Sequence, residues 1–198
     1  MNEGYLKILL TNLLLLGLAS GSVIAQQSTK VQSLILEGSK LRINGTSNVN
    51  DFECIYEDPI RTDTLTYSVE FEETSVKLEG DDLTLKIESF DCGKRGINRD
   101  FRKTLKSDVY PNIDIELLSV VSQSNIPALA NVATTLGGIT KEYTVELKDY
   151  TFENGIATVS GTNTINMSDF NISPPTALFG LIKVKNQIEI NFNLIIEQ

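Results

Sequence analysis

The amino-acid sequence predicts an all-β protein, built as a closed antiparallel sheet of about eight strands with one or two short helices. Apolar residues recur at two-residue spacing along most of the chain, which is typical of half-buried strands. Turn-forming residues separate these runs, and no strand–helix–strand pattern indicates a parallel sheet. Closure is favoured because it removes the edges that an open antiparallel sheet exposes. A β-sandwich is the competing architecture.

The alternating runs follow one another in order up to residue 147. They are Leu34 and Leu36; Leu41 and Ile43; Leu65, Tyr67, Val69 and Phe71; Leu83, Leu85 and Ile87; Ile113, Ile115 and Leu117; and Tyr143, Val145 and Leu147. Turn residues lie between or after the runs, at 37–39, 80–82, 137–138 and 153–155. Asn154-Gly155 predicts a tight hairpin, so the sheet is expected to be mostly antiparallel.

One segment departs from the alternation. Ile97, Phe101 and Leu105 are spaced four residues apart, which predicts a short amphipathic helix. Asn98 is positioned to cap this helix, and Pro111 limits its length. A second helix or a loop is expected over residues 124–129, which a proline interrupts.

The C-terminal segment, residues 169–196, combines a polar turn, two prolines, an apolar loop and a strand. In the strand, residues 188–194 alternate strictly between apolar and polar, so one face is dry and the other wet. An apolar loop needs cover, and it can plug a core or form the floor of an apolar cavity. The loop residues expected to face the interior are Leu178, Phe179 and Ile182.

The N-terminal 25 residues are predicted to be a cleaved secretory signal peptide. An uncharged apolar run is followed by Val23-Ile24-Ala25, the small-residue pattern that a signal peptidase requires. A retained membrane anchor is the alternative. Residues 26–198 then form one domain, which is periplasmic or secreted and is not stably inserted in a membrane.

The chain has two cysteines, and both lie in the part expected to be exported. An oxidising compartment favours a disulfide between Cys54 and Cys92. Free buried thiols and a metal pair are the alternatives. A metal site is discounted, because there is no histidine and no further cysteine to complete it.

Composition excludes several classes of function. The chain has no histidine, which removes Ser-His-Asp and Cys-His catalysis and the commonest general base. The adjacent acids Asp81-Asp82 and Glu72-Glu73 lie beside turns and are expected to be solvated hairpin ends. A net charge of −9 argues against nucleic-acid binding. We therefore expect no enzyme, no metal and no cofactor, and the remaining chemistry is that of an apolar pocket.

Four stretches of the sequence resemble the YceI-like family. They are GTSNVNDFEC at 45–54, RDFRKTLKSDVYPNIDIEL at 99–117, GITK at 138–141, and SDFNISPPTALFGLIKVKNQIEINFNLII at 168–196. The resemblance implies an exported, lipocalin-like barrel that binds a polyisoprenoid lipid. Two histidines frequent in that family are replaced here by Asn50 and Gly137. Any contact of those histidines with a ligand's polar head is then altered.

Under this resemblance the inward apolar positions become a tube for a long isoprenoid chain, polyprenyl or quinone-like. The residues implied to line it are Phe52, Phe71, Leu85, Phe101, Leu105, Ile115, Phe170, Leu178, Phe179, Ile182 and Phe192. Arg102 and Lys183 are candidates for contact with a polar head at the mouth. The partner is then a lipid, carried or sequestered, and a homodimer is left open. The alternative function is a secreted structural barrel with a filled core and a protein partner.

Overall fold

The computed structural model describes residues 29–60, 64–124 and 126–198. The strands are β1 (Thr29–Ile35), β2 (Lys40–Ser47), β3 (Asp51–Tyr56), β4 (Leu65–Phe71), β5 (Ser75–Gly80), β6 (Leu83–Lys86), β7 (Phe90–Asp91), β8 (Asn112–Gln123), β9 (Ile126–Leu136), β10 (Ile139–Glu153), β11 (Ile156–Asn166), β12 (Thr176–Ala177) and β13 (Ile182–Glu197). The helix α1 spans Arg95–Leu105, and 3₁₀ turns lie at Ile87–Ser89, Met167–Phe170 and Leu178–Gly180. The predicted signal peptide lies outside the described residues.

Eight of the strands form a closed antiparallel ring in the order β1-β4-β5-β8-β9-β10-β11-β13. The ring closes where β1 pairs with the end of β13, with Leu34 opposite Glu197 and Ile35 opposite Ile196. This confirms the predicted all-β class and the closed sheet of about eight strands. A closed ring has no unpaired strand edge, and this is the physical reason why the sheet was expected to close.

The remaining strands widen the sheet beyond the ring. Strand β13 is 16 residues long and pairs with β2 before it reaches β1, so that β2, β3 and β7 extend its free edge. In the same way β8 pairs with β6 before it reaches β5. The chain runs directly from β6 through a 3₁₀ turn into β7. The two extensions are therefore joined by the backbone itself.

The two ends of the ring differ in their connections. The hairpin end carries the turns that follow Phe71, Gln123 and Glu153. The loop end carries the turns at 48–50 and 137–138 and the connection 167–181.

The best-packed core lies toward the loop end. Its largest fully buried side chains are Phe90, Phe170, Leu85, Ile87 and Cys54. The ring of Phe90 packs on Tyr56 at 5.0 Å and on Phe101 of the helix at 5.4 Å between centroids. Leu105 is also buried, so the apolar face of α1 covers this part of the sheet.

The helix predicted from the spacing is confirmed, but its cap is not the one expected. The residue that precedes the helix is Lys94, which makes no side-chain capping bond. Asn98 lies inside the first turn, accepts the Cys92 N–H at 2.6 Å and donates to Asp91 at 2.7 Å. Its amide therefore ties the helix to the preceding strand. The bond from Asn98, followed by one from the Gly93 N–H, lowers the pKa of the Asp91 carboxyl.

The expectation of a helix or loop over residues 124–129 is wrong. Strand β9 begins at Ile126, and Pro127 lies opposite Ser122 in the pairing with β8. The register shifts between Val121 and Ser122, at the tip of the hairpin. A proline is tolerated there because, at a bulge near the end of a strand, no carbonyl requires the N–H that proline lacks.

The disulfide between Cys54 and Cys92 is confirmed. Strand β3 pairs with β7 through Ile55 opposite Asp91 and Tyr56 opposite Phe90. This pairing places the two cysteines side by side at the end of the ladder, although 38 residues separate them in the sequence. The disulfide covalently links the segment that leads into α1 to strand β3 of the sheet.

Two glycines give room to aromatic rings. A Cβ on Gly45 would lie 2.2 Å from the Phe52 ring, and one on Gly161 would lie 2.4 Å from the Phe192 ring. Each phenylalanine lies opposite its glycine on the neighbouring strand. The missing side chain lets the ring lie flat over the backbone.

Tyr67 gives a prediction about alkaline stability. Its ring is buried on the inner face, and burial, followed by the charges of Asp81 and Asp82, raises the pKa of Tyr67 to about 12. The folded state therefore holds this proton more tightly than the unfolded state does. Stability is retained below the ordinary pKa near 10 and falls as the pH rises from about 10 toward 12.

Between pH 9 and pH 11 we expect the free energy of unfolding to fall by about 1 kcal/mol less in Tyr67→Phe than in the wild type. Within the described chain the Tyr67 hydroxyl has no hydrogen-bond partner, so phenylalanine removes the titrating group and little else. Denaturant unfolding at the two pH values measures the difference. Tyr110→Phe, at a more exposed ring, is the control. Equal losses in wild type and Tyr67→Phe would contradict the prediction.

Candidate functional site

The cross-strand register identifies the inner face of the ring. Val120 lies opposite Ala130, which lies opposite Val145, and Ala130 and Val145 are buried. On its other side Val120 lies opposite Val76, which lies opposite Phe71. Side chains opposite one another in a ladder point to the same side of the sheet. This row therefore runs along the interior.

Much of the inner face near the hairpin end is apolar and half-exposed. Further rows join Leu117 to Val132, Leu147 to Gly161 and Phe192, and Val159 to Leu194. We call the following half-exposed residues the inner wall: Leu117, Val120, Val132, Leu147, Val159 and Phe192. In a filled barrel such positions are fully buried. The inner face is therefore less completely packed toward the hairpin end than at the loop end.

Exposed apolar side chains lie at the hairpin end of the ring. Phe71, Ile126 and Phe152 are 68%, 56% and 51% exposed, and all lie next to the turns of the hairpin end. Phe152 lies opposite the buried Ala157, so it continues the inner face beyond the closed part of the ring. The hairpin end of the ring is thus apolar, and we call it the mouth.

The opposite end of the interior is closed. Met167, Phe170 and Ile172 are buried there, and the Phe170 ring lies 6.1 Å from that of Tyr143. The Tyr143 hydroxyl donates to Asp169 Oδ2 at 3.2 Å. Burial, followed by the negative charge of Asp169, raises the pKa of Tyr143 to about 12, so the phenol stays neutral. The loop end of the ring is thus filled, whereas the inner wall and the apolar side chains at the hairpin end are not fully covered.

The residues predicted to line the tube fall into different regions. Leu85, Leu105 and Phe170 are fully packed in the core, and Phe52, Phe101 and Ile115 pack against it. These six belong to the packed core and not to the inner wall. Phe192 belongs to the inner wall and Phe71 to the mouth. Their contact with a ligand stays a prediction.

The expectation that the apolar loop faces the interior is wrong for Phe179. Its side chain is 109% exposed. Phe179 and Gly180 have φ values of 57° and 86°, which turn the loop away from the ring. The closed end is already filled by Phe170, so the loop has no space to enter. Ile182 is half-buried opposite Ala177, and the side chain of Leu178 is outside what the structure describes.

The two cations proposed for a polar head do not lie at the open end. Arg102 Nε lies 3.0 Å from Glu88 Oε2, and Arg102 Nη2 donates to the Glu88 carbonyl at 3.1 Å. Arg102 is thus part of the helix packing. Lys183 is exposed at the start of β13, at the loop end.

Sequence reasoning missed most of the inner wall. The register shifts between Leu117 and Ser119, so that Leu117 and Val120 face the same way although three residues separate them. A strict two-residue period assigns them to opposite faces. Val132 lies among small residues and Val159 in a threonine-rich strand, where alternation is weak.

Metal sites and membrane-spanning helices were also considered for the described residues. Within residues 29–60, 64–124 and 126–198, no three His, Cys, Asp or Glu side chains come together in a way that could hold a metal ion. Over the same residues no helix has the length and apolar content needed to cross a bilayer.

The chain is thus a closed antiparallel ring of strands with an apolar inner face. The YceI-like domain matches residues 44–196, and the chain belongs to that family. The sequence has no match among the curated proteins.

Solved structures share the fold at low sequence identity. BcnA of Burkholderia cenocepacia is 19% identical with a TM-score of 0.55, covering 79% of this chain and 95% of its own. A polyisoprenoid-binding domain from Saccharophagus degradans is 13% identical with a TM-score of 0.51, covering 83% and 97%. A mutant of the Campylobacter jejuni YCEI protein is 16% identical with a TM-score of 0.52, covering 73% and 84%.

Proposed function

We propose that the chain is an exported, non-enzymatic protein that binds a long-chain isoprenoid lipid inside the ring. The observation that carries this proposal is the inner wall, which is apolar and only half-buried, and from it we infer a tube that opens at the hairpin end. The relative from Saccharophagus degradans, a polyisoprenoid-binding domain, has the same fold. The predicted signal peptide and the disulfide are consistent with a periplasmic or secreted protein.

The driving force for binding is burial of apolar surface. Each Å² removed from water contributes roughly 25 cal/mol, so a chain of several isoprene units gains several kcal/mol without a specific polar contact. With Arg102 and Lys183 away from the mouth, we propose that the head group remains in solvent at the hairpin end.

The test is to purify the protein from its own host under native conditions and to identify what it carries. Native mass spectrometry gives the mass of the complex, and solvent extraction releases the ligand. We expect a co-purified lipid with a polyprenyl chain. Empty protein that also fails to take up a long polyprenol would contradict the proposal and favour the structural barrel with a protein partner.

Retention of the lipid should be almost independent of pH near neutrality. The chain has no histidine, and the tyrosines of the interior, Tyr67 and Tyr143, have pKa values raised to about 12. No group of the tube is therefore expected to change charge between about pH 6 and 8. Titration of the protein with a fluorescent polyprenol at several pH values measures this. A tenfold change in Kd over that range would show that an ionisable group takes part.

A further inference from the structure

A second apolar surface lies at the loop end, away from the mouth of the tube. Val49, Phe179 and Leu181 are 60%, 109% and 73% exposed. We call these three residues the loop-end patch. Single exposed apolar residues are normal on a protein surface, but neighbouring ones mark a site of interaction.

Hydrogen bonds hold the parts of the patch together. The Asn48 side chain donates to the Leu181 carbonyl at 2.9 Å and accepts the Lys183 N–H at 2.7 Å. The Asn48 N–H also donates to the Lys183 carbonyl at 3.1 Å. The Ser47 hydroxyl donates to the Asn50 carbonyl at 2.7 Å and so fixes the turn that carries Val49. The patch is therefore one surface, although it comes from two distant parts of the chain.

Stability of the fold does not account for the patch. Phe179 is in the left-handed region with φ 57°, which costs a non-glycine residue free energy, and its ring packs on nothing that offsets this cost. A polar residue at this position would remove the exposed apolar surface and, with it, the aggregation hazard. A strained and fully exposed aromatic residue indicates a contact outside the chain.

The charges next to the patch identify the kind of partner. Lys183 and Lys185 are exposed on the strand that leaves the patch. Residues 170–188 contain no acid, and neither do residues 44–50, although the whole chain has a net charge of −9. The nearest acids along the sequence are Asp51 and Glu189, and the Glu189 carboxylate accepts hydrogen bonds from Asn44 and Asn191. Acids farther away are screened beyond about 8–10 Å at physiological salt.

From this combination we infer that the loop-end patch docks the protein on an anionic lipid bilayer. Phe179, Leu181 and Val49 enter the interfacial region, and Lys183 and Lys185 lie against the phosphate groups. An apolar protrusion beside lysines matches the two layers of such a surface, the charged head groups and the acyl chains beneath them. The net negative charge of the rest of the chain keeps the binding weak and reversible.

Flotation of the exported protein with lipid vesicles tests the inference. Vesicles of phosphatidylcholine with about 30% phosphatidylglycerol supply the anionic surface, and pure phosphatidylcholine vesicles are the neutral comparison. Neither contains an isoprenoid, so the result does not depend on what the tube binds. We expect partition onto the anionic vesicles that decreases as salt is raised.

Variants assign the binding to the patch. Phe179→Ser with Leu181→Ser should lower the partition coefficient at least about tenfold, since it removes the apolar surface that is buried. Lys183→Gln with Lys185→Gln should lower it about fivefold per lysine. The matched controls are Ile156→Ser, at the opposite end, and Lys40→Gln with Lys148→Gln, and they should bind like the wild type.

Three outcomes would overturn the inference: no partition of the folded wild type, equal partition onto neutral and anionic vesicles, or equal losses in patch and control variants. Light scattering is measured on the same samples. If the patch variants abolish a dimer and leave vesicle binding intact, the patch binds a second copy of the chain and the membrane proposal is wrong.

Discussion

Leu147→Asp is expected to abolish retention of an isoprenoid lipid while the protein stays folded. Leu147 belongs to the inner wall and lies opposite Gly161, and the Phe192 ring lies over Gly161. A carboxyl group at this position would have to lose its water when the apolar chain enters. Burial of an unpaired polar group costs about 2–7 kcal/mol, which weakens binding by about thirtyfold or more.

The matched control for this variant is Lys148→Asp. Lys148 is the next residue of β10 and is exposed on the outer face, so it changes charge without entering the tube. The measurement is the Kd for a fluorescent polyprenol, with thermal unfolding of both variants to show that they are folded. If folded Leu147→Asp binds as well as Lys148→Asp, the ligand does not occupy the ring interior.

Removal of the disulfide has the largest expected effect on stability. Cys54 and Cys92 enclose a connection with a sequence separation of 38. Freeing a loop of this length raises the entropy of the unfolded chain and lowers the free energy of unfolding by about 4 kcal/mol. For a domain of this size the melting temperature should fall by roughly 10 °C.

The comparison is between the wild type and the double variant Cys54→Ala with Cys92→Ala in denaturant titrations. Wild type treated with a reductant should behave like the double variant, because the effect comes from the bond and not from the small change in packing. A double variant as stable as the oxidised wild type would contradict this account of the disulfide.

The general fold could be predicted because the sheet leaves a two-residue period in the sequence. Leu65, Tyr67 and Val69 alternate along β4, and all three are buried as expected. The helix followed from the four-residue spacing of Ile97, Phe101 and Leu105 in the same way. Both patterns follow from the side-chain periodicity of a strand or a helix, which sets the spacing of apolar residues in the sequence.

The open part of the site could not be predicted, because it depends on register and on competition for space. A shift in β8 placed Leu117 and Val120 on one face, and no residue type marks that shift. Phe170 and Phe179 are both aromatic residues of one connection, yet Phe170 fills the closed end and Phe179 is left outside. Which of two similar side chains takes a place in the core is decided by tertiary packing.

The most direct test of the central claim is to observe which methyl groups contact the bound isoprenoid. The protein is labelled with ¹³C at the methyl groups of Leu and Val, and intermolecular NOEs to an unlabelled polyprenol are recorded. If the lipid lies inside the ring, we expect NOEs to Leu117, Val132, Leu147 and Val159, and none to Val49. NOEs confined to Val49 and Leu181, with the inner wall unchanged, would contradict a lipid inside the ring.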